Sequence, residues 1–167
     1  MKTSLGDHLA KKSCVSAVLI ALAFCLTPLR PVRSDDRKPG DPWSPAQTIQ
    51  PAALARELTD KSNGMPTVVY VGFRTLFAGG HIPGATFHGS ASKEDGLAEI
   101  KKWAGALPRS TNLIIYCGCC PFEKCPNIRP AFRALDEMGF THLRVLILPT
   151  SFAADWVEKG FPFEKGL

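Results

Sequence analysis

The sequence predicts an α/β domain, a small and mostly parallel sheet with helices on both faces. Two observations predict it. Three apolar runs rich in β-branched residues, Thr67–Gly72, Asn112–Tyr116 and Leu143–Leu148, have the length of buried strands. Segments with helical spacing or helix punctuation separate them, and continuous apolar strands between helices imply a sheet covered on both sides.

Pro51–Leu58 reads as a short helix, with proline allowed in its first turn. Asn63-Gly64 marks a turn before the first strand. A loop, Gly-Gly-His-Ile-Pro-Gly-Ala, follows at 79–85. Across Glu94–Leu107 the apolar residues Leu97, Ile100, Trp103, Ala104 and Leu107 recur at helical spacing. The second strand runs directly into a cysteine-rich loop. Pro126–Met138 reads as a helix closed by Gly139, and after the third strand Ser151–Lys159 reads as a last short helix closed by Gly160.

The first 34 residues read as a secretory signal. Lys2, Lys11 and Lys12 are followed by an uncharged apolar run from Cys14 to Leu26, too short for the roughly 20 residues that cross a bilayer. Val32-Arg33-Ser34 is a tolerable cleavage site, so the chain is expected to be exported, periplasmic or secreted. An uncleaved anchor, or a lipid on Cys25, is the alternative and the only route to a membrane. Residues 35–46, with Asp, Arg, Lys, Pro, Gly and Ser, read as a flexible, solvated linker, and 47–167 as the single domain.

The formal charge of +5 is mostly a property of the leader. Five of the 20 basic and one of the 15 acidic residues lie in 1–34, leaving a net of +1 beyond it. Nothing in that balance favours nucleic acid as a partner.

Cys14 and Cys25 fall in the leader, whereas Cys117, Cys119, Cys120 and Cys125 sit within nine residues. A disulfide scaffold spreads its cysteines to tie distant segments, so this cluster reads as a chemical site. Cys117 falls at the carboxyl end of a strand, where open α/β sheets bind ligands. A strand, a tight loop and a helix N-terminus favour a thiolate, and a thiolate attacks sulfur, phosphorus or disulfides. Lys124 and Arg129 add positive charge for an anionic substrate. The plain alternative for Cys117 is an inert buried thiol.

At these residues the chain resembles the rhodanese-like sulfurtransferase domain. Gly80-His81-Ile82-Pro83-Gly84-Ala85 is similar to that family's first-half signature, and Tyr116-Cys117 to the end of its active-site strand. Asp155-Trp156 and Gly160-Phe161-Pro162 are similar to its C-terminal ending, so the likeness runs from about Ile49 to Phe163. The resemblance implies a cycle in which the Cys117 thiolate takes a sulfane sulfur from a donor such as thiosulfate and passes it to cyanide or a thiol. The partners are then a small sulfur-containing anion and a thiol acceptor, with no cofactor and no metal. The loop residues Gly118, Cys119, Cys120, Phe122, Glu123, Lys124 and Arg129 would surround the substrate, their N–H groups stabilising anionic sulfur.

Four departures are visible. Phe122 stands where the family's loop ends in arginine or lysine, the loop is about five residues longer, Tyr70-Val-Gly-Phe-Arg74 replaces the usual Asp-x-Arg, and Cys119, Cys120 and Cys125 are extra. Related phosphatases on this fold have arginine six residues after the cysteine, and no cysteine here does: Glu123, Cys125 and Pro126 follow Cys117, Cys119 and Cys120 at that distance.

Two rival readings use the same loop. Cys119, Cys120 and Cys125 are possible redox partners of Cys117, making a thiol–disulfide protein that works with a redox partner protein in an oxidising compartment. A non-catalytic binding module or metal carrier is the other, although the spacing lacks the two separated Cys-x2-Cys pairs usual for zinc. His81 reads as a loop brace rather than a base. His88 and His142 carry no motif, Trp103 and Trp156 read as packing residues, and Arg133 as part of a solvated helix face.

Overall fold

In the computed structural model, which describes residues 40–60, 62 and 64–167, the sheet is built of β1 (Thr48–Ile49), β2 (Thr67–Tyr70), β3 (Thr86–Phe87), β4 (Asn112–Tyr116) and β5 (His142–Leu146). The helices are α1 (Pro51–Thr59), α2 (Arg74–Gly79), α3 (Glu94–Gly105) and α4 (Ile128–Glu137). All strands are parallel, in the order β1-β5-β4-β2-β3. The signal expected at 1–34, and 35–39 of the expected linker, lie outside the described residues. Among the described residues no helix is long and apolar enough to cross a membrane.

The strand period of two divides the core. Val69, Val71, Leu113, Ile115 and Cys117 face one side, under Ile100 and Ala104 of α3 and Ile128, Ala131, Phe132 and Leu135 of α4. Val68, Tyr70, Ile114 and Tyr116 face the other, with Leu54 of α1, Phe77 of α2 and Trp156. β4 is the middle strand, buried from Leu113 to Tyr116, and it delivers Cys117 to the α4 side of the sheet.

The expected elements are present with shifted ends. The helix expected from Pro126 starts at Ile128, after a 3-10 turn at Phe122–Lys124. Cys125 precedes a proline and is extended (φ −68°, ψ 118°), as a residue in that position prefers, so the helix begins beyond it. The last helix is a five-residue π-helix, Ala153–Val157, whose Asp155 carboxylate accepts the Thr150 and Ser151 amides at 2.6 and 2.9 Å.

The solvated-linker reading is corrected over residues 41–43. Trp43 is buried, 5.5 Å from the Phe122 ring and 5.4 Å from that of Phe132. The Asp41 carboxylate pairs with Arg129 at 2.6 Å. An apolar ring gains more in the groove beside α4 than in water, and the polar residues around Trp43 hide that gain in a compositional reading.

Candidate active site

Cys117 leaves β4 with its sulfur buried. Gly118 follows in the left-handed region at φ 72°, and a Cβ there would stand 2.7 Å from Phe152 Cβ and 2.9 Å from its backbone nitrogen. The Gly118 carbonyl accepts the Phe152 N–H at 3.1 Å, which ties the turn to the segment after β5. Gly118→Ala is therefore expected to cost about 1–3 kcal/mol of stability, measured by urea unfolding, since a side chain is strained at that φ and meets backbone.

The turn gathers sulfurs. Cys119 Sγ lies 3.2 Å from Cys117 Sγ and 3.3 Å from Cys120 Sγ. The sulfurs of Cys117, Cys119 and Cys125 all lie within 4.8 Å of one another. The four cysteines are free thiols.

Asn127, fully buried, organises this cluster. Its Oδ1 accepts from Ser90 Oγ at 3.0 Å and from the Ser92 amide at 2.9 Å. That fixes the amide orientation, and Nδ2 then donates to Cys117 Sγ at 3.6 Å and Cys119 Sγ at 3.7 Å. An asparagine just before a helix commonly caps it; this one makes no cap hydrogen bond, because its acceptor oxygen is taken by Ser90 and Ser92.

The expectation that the helix terminus activates Cys117 is corrected. α4 begins eleven residues after Cys117, and its first amides serve Cys125. Hydrogen bonding from Cys117, then the Asn127 and Ile128 amides, outweigh burial and bring the Cys125 thiol down to about 6. Cys117 is pushed up, first by its hydrogen bond to Cys125 and then by burial, with the Cys119 amide opposing. Burial and the neighbouring Cys119 raise Cys120 to about 12. The hydrogen bonds thus favour the thiolate of Cys125 over those of Cys117 and Cys120.

Cys117 opens onto a cavity of about 540 Å³. Leu76, Phe152, Val157 and Phe163 give it apolar walls, and Lys165 is the cation on its rim. Tyr70 is in the wall. Its hydroxyl is buried with no hydrogen-bond partner among the described residues, and burial followed by the nearby Cys117 pushes its pKa up.

Of the loop residues expected around a substrate, Gly118 and Cys119 line this cavity with Cys117. Cys120, Phe122, Glu123, Lys124 and Arg129 do not. Phe122 is buried against Trp43, and Glu123 and Lys124 are exposed on the 3-10 turn. Arg129 donates to Asp41 at 2.6 Å and to the Phe122 and Glu123 carbonyls at 3.4 and 3.3 Å, so it ties the loop to the 41–43 segment. The lengthened loop turns these groups away from the cavity. No sequence pattern places Tyr70, Ser90 or Lys165 at this site, and for Asn127 the one signal is a polar residue beside a helix start.

No protein-family model and no curated protein matches the sequence. Solved structures do. The rhodanese-like domain of the Alr3790 protein from Anabaena sp., solved by NMR, superposes with a TM-score of 0.52 at 24% identity, over 71% of this chain and 79% of that one. The crystal structure of the same Anabaena protein gives 0.51 at 23% identity, over 71% and 93%. The chain has the rhodanese-like fold. A looser likeness, TM-score 0.46 at 22% identity, is to a thiosulfate sulfurtransferase from Pseudomonas aeruginosa, over 72% of this chain and 19% of that one.

Within this fold the Gly80–Ala85 loop is a brace. His81 is buried, stacked on Phe77 with centroids 3.9 Å apart, its Nδ1 2.9 Å from the Phe77 carbonyl and its Nε2 3.2 Å from Glu164 Oε1. The Ile82 amide donates to the Tyr116 hydroxyl at 3.1 Å, tying the loop to β4 one residue before Cys117. His88 stacks on Trp103 with centroids 4.2 Å apart, His142 lies 3.1 Å from the Ser110 carbonyl, and Arg133 is exposed.

Proposed function

We propose that the protein is a sulfurtransferase whose sulfur carrier is Cys117. The observation that carries this reading is the position of Cys117 at the carboxyl end of the middle strand of a rhodanese-like sheet, on the wall of a cavity. In the first half-reaction the Cys117 sulfur attacks the sulfane sulfur of thiosulfate. The new bond joins the two sulfurs, the sulfur–sulfur bond of the donor breaks, and sulfite leaves with the electron pair. The proton shed by Cys117 has an acceptor within reach in the Cys125 sulfur. In the second half-reaction cyanide or a thiol takes the outer sulfur and Cys117 is restored.

The Asn127 amide N–H and the Cys119 amide are the donors available to the anionic sulfur on Cys117, a preorganised arrangement that costs no reorganisation at the moment of transfer. Lys165 is the rim cation for an anionic donor. The apolar walls suit an acceptor with an apolar body. The residues before 35 support work outside the cytoplasm, after cleavage near Ser34; N-terminal sequencing of the exported protein tests this, and a start at Met1 would overturn it.

The deciding experiment exposes the reduced protein to thiosulfate and reads intact mass and cyanide-dependent thiocyanate formation. Gain of one sulfur atom with turnover is expected. A fully reduced protein that gains none from any sulfane donor sinks the reading.

One observation favours a second reading. The 3.2 Å between Cys117 and Cys119 sulfurs, across a glycine with positive φ, also suits a reversible Cys117–Cys119 disulfide. Thiol counts before and after reduction separate the two readings: four free thiols in the exported form count against the redox one.

A further inference from the structure

Three sulfurs converge from two segments, Cys117 and Cys119 from the turn after β4, and Cys125 from the residue pair before Asn127. We propose that Cys117, Cys119 and Cys125 form a three-coordinate, all-sulfur site for cuprous copper.

The geometry argues for it in four ways. First, the three sulfurs lie within 4.8 Å of one another, close enough to share one ion. At the shortest separation among them, 3.2 Å, the sulfurs are unbonded and free to act as ligands.

Second, the donor set is uniformly soft. The group contains no histidine and no carboxylate. Thiolates select monovalent copper over harder ions. A closed zinc site takes four ligands in a tetrahedron, and the remaining candidate sulfur, Cys120, touches Cys119 at 3.3 Å but does not belong to the mutual group.

Third, the ligand sulfurs have hydrogen-bond donors around them. The Asn127 amide donates to Cys117 and Cys119, and the Asn127 and Ile128 backbone amides lie against Cys125. Such outer partners orient ligands and offset the charge of the thiolates. They are themselves held, since Asn127 is anchored on Ser90 and Ser92.

Fourth, there is a way in. Cys117 and Cys125 are buried, but Cys119 is half-buried and lines the cavity with Cys117. An ion arriving through the cavity meets two ligands first and then the third behind them.

The site is tested on the full chain carrying Cys14→Ser and Cys25→Ser, so that the leader's thiols take no part. Cuprous ion is titrated without oxygen against a chromophoric cuprous chelator. One ion per chain is expected. Cys117→Ser, Cys119→Ser and Cys125→Ser should each weaken binding by at least the ~10–100-fold that loss of even an outer partner brings. Cys120→Ser should leave affinity unchanged. Copper-edge X-ray absorption of the loaded parent should show three sulfur neighbours, and this readout stands even where a serine variant fails to fold. A two-sulfur shell, or a Cys120→Ser loss equal to the others, overturns the proposal. The readout is metal binding, so it stands or falls apart from sulfur transfer.

Discussion

A Cys117→Ser protein is expected to gain no sulfur from thiosulfate and to lose thiocyanate formation by on the order of 10³-fold or more, as removal of a nucleophile ordinarily does. The serine oxygen would occupy the same place at the end of β4, and the cavity walls would be unchanged, so donor binding should persist while transfer stops. A hydroxyl cannot form the persulfide bond, and its proton is far harder to remove than that of a thiol. Cys119→Ser separates the two readings of the cluster. Under sulfur transfer it retains the gain of one sulfur on Cys117. Under thiol–disulfide exchange it loses the oxidisable pair. A Cys117→Ser protein that still turned over would move the nucleophile elsewhere in the cluster and refute the assignment.

Trp43→Ala is expected to lower stability by about 3–5 kcal/mol, the usual range for removing a buried large aromatic. In a domain of this size that is a fall of roughly 10–20 °C in Tm. Trp43 is 4% exposed, packs on both Phe122 and Phe132, and lies under the Arg129 guanidinium at 5.5 Å. Phe122 sits on the 3-10 turn of the cysteine loop and Phe132 on α4, so the ring joins the loop to the helix behind it. The loss should therefore be felt at the site, as faster alkylation of Cys125 under conditions where the rest of the protein stays folded. A change below about 1 kcal/mol would mean that the segment is only laid against the surface.

The sheet's architecture was legible because its three longer strands are uninterrupted apolar runs. β1 and β3 are two residues each and carry no period, and α2, six residues ending at Gly79, is too short for periodicity to register. Cys117 was legible from its place after a strand. What surrounds it was not. The Asp41–Arg129 pair spans 88 positions, and the Ser90–Asn127 contact spans 37, distances that no local pattern encodes. Nearness in sequence to Cys117 suggests that Arg129 and Lys124 face the substrate. The extra loop residues form their own 3-10 turn and carry those side chains elsewhere. The helix expected from Pro126 begins two residues later, at Ile128, and its first amides reach Cys125 rather than Cys117.

Asn127 is one planar group with its two ends in different parts of the molecule. The oxygen is held by the turn at Ser90 and Ser92, and the nitrogen reaches the sulfurs. A plane cannot tilt at one end only, so the amide works as a rigid lever between that turn and the cysteines. Whatever displaces the exposed Ser92 backbone, a bound partner or a substitution nearby, must rotate the donor away from Cys117 and Cys119. The reactivity of the thiols is thus set partly by a turn that contains no sulfur.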